Sequence, residues 1–134
     1  MEQGPINISV TDLPRLRELL CALNSRYLNA RPDLQVLKSR LAKAVVVANE
    51  KVPDDVVTVD SEVCLSDGRT GAEIRCSIVY PESAEAAAGR ISVLAPLGVA
   101  LLGRRAGEQV SFDAPEGPRT CRILNVQHGP HLDS

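Results

Sequence analysis

Residues 91–107, Ile-Ser-Val-Leu-Ala-Pro-Leu-Gly-Val-Ala-Leu-Leu-Gly-Arg-Arg-Ala-Gly, leave this chain few folds to choose from. Ile91 and Val93 face one way and Ser92 the other, which predicts a strand. Pro96 stops sheet pairing, because it has no backbone donor and its ring fixes φ. Residues 97–102 are apolar, and Gly103 stands where a glycine ends a helix. Gly107 then turns the chain into the alternating run 108–112. Strand, proline corner, one or two helical turns, glycine stop and strand thus follow without a gap. That passage shapes the C-terminal half.

Upstream of it the hydrophobic period is 2. Val57 and Val59 predict a first strand, Val63 and Leu65 a second, and Ser66-Asp67-Gly68 a hairpin turn. Ile74, Cys76 and Ile78 alternate with Glu73, Arg75 and Ser77, a half-buried strand reaching Val79-Tyr80-Pro81. Residues 82–89 read as a loop or helical turn. A turn at 114–118 leads into a last strand, 120–126.

The N-terminal part has another period. Ile6, Ile8 and Val10 form an extended lead-in, and Thr11 and Asp12 are good helix N-caps. Leu13, Leu16, Leu20, Leu23 and Tyr27 step by three and four, as do Leu34, Leu37, Leu41, Ala44 and Ala48. Pro32 and Asp33 restart the helix between them. Two such seams with a short connection predict an antiparallel hairpin, each arm about 16–18 residues and roughly 25 Å long. Its narrow seam and charged flanks, Arg15, Arg17, Glu18, Arg26, Lys38, Arg40 and Lys43, favour projection into solvent over packing on the sheet. Its base near Val45, Val46 and Val47 is expected to dock on the sheet domain. Pro53 marks the boundary, giving an α+β chain of two parts, 1–51 and 52–134.

Chemistry is sparse. Fifteen Lys and Arg against seventeen Asp and Glu, without a basic block, disfavour direct nucleic-acid binding. No apolar run suits a bilayer, and Met-Glu-Gln-Gly-Pro lacks signal-peptide order, so the expected compartment is the cytoplasm. Cys21, Cys64, Cys76 and Cys121 are far apart; the last three sit on strands and read as reduced core thiols. Asp54 and Asp55 suit a solvated linker better than acid–base or metal chemistry. His128 and His131 have metal-ligand spacing only on a helix, which Gly129 and Pro130 break. No phosphate loop, nucleophile elbow or metal motif is present, so neither enzyme activity nor a cofactor is expected.

The run 91–103 followed by Gly107, Val110, Pro115 and Gly117 resembles the C-terminal domain of the Gre transcript-cleavage factors. With Val52-Pro53-Asp54-Asp55-Val56-Val57-Thr58 and Val79-Tyr80-Pro81, residues 50–127 are more similar still to the short-hairpin Gre relatives called regulators of nucleoside diphosphate kinase (Rnk). The resemblance implies a coiled-coil hairpin followed by an FKBP-like domain with a mainly antiparallel sheet and one short helix. It implies RNA polymerase as partner, with docking near the secondary channel in competition with Gre factors. The docking loop maps to Leu94, Ala95, Pro96 and Leu97, with Ala95 where the Gre pattern has serine. Cleavage by Gre factors relies on paired acids at the hairpin tip. Here the tip carries Arg26, Arg31 and a single acid, Asp33, which argues against cleavage. Two aromatics in the second half, Tyr80 and Phe112, cannot line a prolyl-isomerase pocket. A second reading is a regulator of nucleoside diphosphate kinase itself, acting on the enzyme directly or through its expression.

Overall fold

The computed structural model describes residues 6–48, 51–114 and 116–128. It divides into two compact units, Met1–Pro53 and Asp54–Ser134. The expectations for Met1-Glu2-Gln3-Gly4-Pro5, Pro115 and His131 lie outside the described residues.

In the first unit β1 (Asn7–Ser9) leads into α1 (Asp12–Ala22), α2 (Ser25–Asn29), α3 (Pro32–Ala42) and β2 (Val45–Val47). The two strands pair in parallel, Ile8 opposite Val46. The cap of α1 differs from expectation: Ser9 Oγ accepts the Asp12 N–H at 3.0 Å, while Thr11 at the N-cap makes no capping bond. Leu13, Leu16 and Leu20 of α1 and Leu34, Leu37 and Leu41 of α3 are all buried, and the two helices pack on each other.

The two long arms are corrected to three shorter helices. Leu23 turns extended, and Asn24 Oδ1 accepts the Tyr27 N–H at 2.8 Å, starting α2 afresh. An asparagine caps well and helps a helix interior little, so the break falls there. Tyr27 is consequently exposed rather than on a seam. At 11 residues each, α1 and α3 are about 16 Å long at 1.5 Å per residue. The second arm also stops early. Three consecutive β-branched valines prefer an extended chain, so residues 45–47 form β2, and Ala44 and Ala48 leave the helix.

The second unit contains β3 (Glu62–Asp67), β4 (Glu73–Val79), β5 (Arg90–Ser92), α4 (Pro96–Leu101), β6 (Gln109–Ala114) and β7 (Gly117–Gln127). Its five-stranded sheet runs β5-β4-β3-β7-β6, with β4 and β5 parallel and the other pairs antiparallel. Val63, Leu65, Ile78 and Ile123 project from one face into a core with Val93, Leu101 and Leu102. The register shifts between Cys64 and Leu65, where β7 carries the extra residue Leu124, left exposed. Among the described residues no helix is long and apolar enough to cross a membrane.

Two strand-level expectations change. Val57 and Val59 are buried but belong to no strand: Val56 makes only a single bridge, to Arg105. Asp60, at φ 74°, turns the chain there, and Thr58 and Ser61 are tied by their hydroxyls at 2.8 Å. Cys64 alternates with Val63 and Leu65 and so lies half-buried on the opposite face. Cys76 and Cys121 are buried. Burial, then the neighbouring Cys121 and Cys64, pushes the Cys76 thiol up to about 11, and burial raises Cys121 likewise. Both stay protonated at neutral pH and chemically quiet.

Candidate partner-docking corner and hairpin tip

The corner between β5 and α4 is closed by Ser92. Its carbonyl accepts the Ala95 N–H at 3.0 Å and its Oγ accepts the Leu94 N–H at 3.0 Å. Val93, fully buried, anchors the turn from below, and its N–H donates to Val79 O at 2.8 Å. Ala95 is extended (φ −72°, ψ 153°), as a residue before proline must be, and Pro96 opens α4. Gly98, Val99 and Leu101 of the helix turn inward. The structure therefore brings Leu94, Ala95, Pro96 and Leu97 together as one half-buried apolar corner.

The far end of α4 is tied to the start of its own unit. Gly103, at φ 82°, leaves the helix and its N–H donates to Val57 O at 2.9 Å. The Val57 N–H returns to Arg104 O at 2.8 Å, and the Ala106 N–H donates to Asp55 O at 2.9 Å. The Asp55 carboxylate faces Arg105 at 3.4 Å. Of the paired acids, then, Asp55 has a specific partner. His128 Nε2 donates to Val56 O at 2.8 Å, closing the same segment from the end of β7.

The expected tip, the turn between α2 and α3, is built around Arg31. Its Nε donates to Asp33 Oδ1 at 2.8 Å and its Nη2 to Asp33 Oδ2 at 2.7 Å, a bidentate pair across Pro32. Nη1 donates to the Tyr27 hydroxyl at 3.0 Å, with the guanidinium 5.8 Å from the centre of the Tyr27 ring. The hydrogen bonds from Arg31 hold the Asp33 carboxyl below the usual carboxylate range. Arg26 is exposed on α2. The tip thus brings its one acid onto an arginine, with both carboxylate oxygens engaged. Among the described residues no cluster of three His, Cys, Asp or Glu side chains could hold a metal ion.

Residues 52–128 match the family described as "Transcription elongation factor, GreA/GreB, C-term". The chain belongs to the GreA/GreB family. It is 34% identical over 113 residues to the transcription elongation factor GreA of Clostridium botulinum (strain Alaska E43 / Type E3), covering 79% of this chain and 71% of that one. It is 36% identical over 104 residues to the regulator of nucleoside diphosphate kinase of Escherichia coli (strain K12), covering 74% of each. Among solved structures, a prokaryotic transcription elongation factor GreA/GreB from Nitrosomonas europaea superposes with a TM-score of 0.81 at 34% identity. That match covers 94% of this chain and 100% of the other.

Within this GreA/GreB chain, two residues at the corner escaped the sequence reading. Gly98 packs so close to β5 that a Cβ on it would lie 2.1 Å from Ser92 O. A glycine inside a short apolar helix was the available signal, since it costs about 1 kcal/mol there and needs a reason. Ser92 looked like the polar beat of a strand. An alanine at position 95 has a local cost as well, because it leaves α4 without a side-chain cap. Ala95→Ser should raise stability by about 0.5–2 kcal/mol, the usual worth of an N-cap hydroxyl. A denaturation midpoint that stays put or falls would show that the first turn of α4 gains nothing from a cap.

Proposed function

We propose that this GreA/GreB-family chain is a non-catalytic regulator of transcription of the Rnk type. On this reading residues 52–134 form an FKBP-like docking domain, and residues 1–51 form the hairpin appendage. The corner Leu94, Ala95, Pro96 and Leu97 docks on RNA polymerase near its secondary channel and competes there with Gre factors. The observation that carries the non-catalytic part is the Arg31–Asp33 pair. Transcript cleavage needs tip carboxylates free to hold a divalent cation, and a cation at Asp33 must first displace a bidentate guanidinium. The charge balance points the same way. Met1–Pro53 carries eight Lys and Arg against five Asp and Glu, whereas Asp54–Ser134 carries seven against twelve. Cations scattered along the sequence therefore leave the N-terminal unit positive, the wrong sign for gathering Mg²⁺.

The test is a backtracked transcription complex. The purified protein is expected to give no Mg²⁺-dependent cleavage above the polymerase background and to suppress cleavage stimulated by an added Gre factor. Stimulation by the protein itself would assign it a GreA-like role instead. The relative named regulator of nucleoside diphosphate kinase motivates a second measurement. Recovery of that kinase in place of polymerase subunits on the immobilised protein would favour the direct kinase reading.

A further inference from the structure

We infer that Ser92 and Gly98 are the positioning residues of the docking corner, an inference that rests on the docking reading above. Neither needs to touch the partner. Residues 93–97 form a closed loop whose two ends meet where the Gly98 backbone abuts the Ser92 carbonyl. Three constraints converge on Ser92. Its carbonyl holds the Ala95 N–H, its Oγ holds the Leu94 N–H, and the same carbonyl leaves no room for a side chain at position 98. Without the Oγ bond, the Leu94 peptide loses one of its ties, and the spacing of Leu94 and Leu97 is held less tightly. Binding must then restore that order, and ordering a loop on association subtracts from affinity. The hydroxyl thus acts on docking through the free protein. It contributes little to the fold itself, whose anchor is Val93 beneath it.

Ser92 differs in this from an ordinary structural serine. One hydrogen bond's usual net worth corresponds to roughly three- to tenfold in binding. Ser92→Ala should therefore raise by that factor the protein concentration needed for half-maximal competition with a Gre factor on polymerase. Its thermal midpoint should stay within a few degrees, and the Leu94 amide should exchange faster. Ser92→Thr keeps the oxygen and should restore both competition and Leu94 protection. Gly98→Ala should lose both, with a lowered midpoint, because α4 must move off β5. Leu97→Asp, run beside them, separates the two levels of the argument. If Leu97→Asp fails to compete while Ser92→Ala competes like the parent, the positioning role is overturned and docking stands. If Leu97→Asp competes undiminished, the corner is no interface and the positioning role falls with it.

Discussion

Leu20→Ala is expected to melt the N-terminal helical unit while the five-stranded sheet stays folded. Leu20 is 2% exposed, in the row it forms with Leu13 and Leu16, and α1 packs on α3 with its buried Leu34, Leu37 and Leu41. Truncating a buried leucine costs about 2–5 kcal/mol through lost transfer energy and the cavity left behind. Whole domains hold only about 5–15 kcal/mol, and small ones sit at the low end because they bury less of their surface. The loss therefore consumes most of what this unit has. Amide exchange reads the outcome. Protons of α1 and α3 should exchange much faster, while those of Ile74, Cys76 and Ile78 in β4 keep their protection. Equal acceleration in both places would mean that the units unfold as one.

Leu97→Asp is expected to abolish competition with a Gre factor for polymerase while leaving the thermal midpoint nearly unchanged. Leu97 lies one residue after Pro96, half-buried, whereas Val99 and Leu101 point into the core. A carboxylate there keeps contact with water in the free protein. In a complex it loses that water, and burying a polar or charged group without a partner costs several kcal/mol. The corner is already ordered by Ser92, so most of its apolar contact is available for binding, and the penalty falls on the complex. A large drop in midpoint would instead place Leu97 in the protein's own core, and unchanged competition would remove the corner from the interface.

What the sequence made legible follows from how local the cause is. The strand, proline corner, helix and glycine stop could be read because Pro96 and Gly103 restrict φ by themselves. Gly103 indeed adopts the left-handed region. The helical arms were misread because a three-four spacing registers side-chain faces and is blind to caps. Asn24 interrupts the first arm through a backbone bond that no hydrophobic pattern reports. Val45, Val46 and Val47 carried the right warning in their branching, but Ala44 and Ala48 kept the spacing going past them. Val57 and Val59 alternate as strand residues do, yet the backbone partner of Val57 is the loop after α4, more than forty residues away. At the tip, Arg31 and Asp33 were visible as separate charges. Only the turn at Pro32 makes them one bidentate pair. Likewise Gly98 stood out as an oddity in an apolar helix, but the carbonyl it approaches, Ser92 O, becomes its neighbour only when the corner closes.

The place of β7 in the sheet sets the order in which a chain leaving the ribosome can become structured. β3 lies between β4 and β7, with Glu62 opposite Gln127, so its second partner is made more than fifty residues after it. Among the described residues β6 pairs in the sheet only with β7, and it too waits for that strand. Until then β3 presents an open hydrogen-bonding edge, with Val63 and Leu65 beside it lacking Ile123. The helical unit pairs its two strands and packs α1 on α3 within its own residues, contacts that can form while synthesis continues. A nascent chain halted before β7 thus carries a finished N-terminal unit joined to a sticky half-sheet.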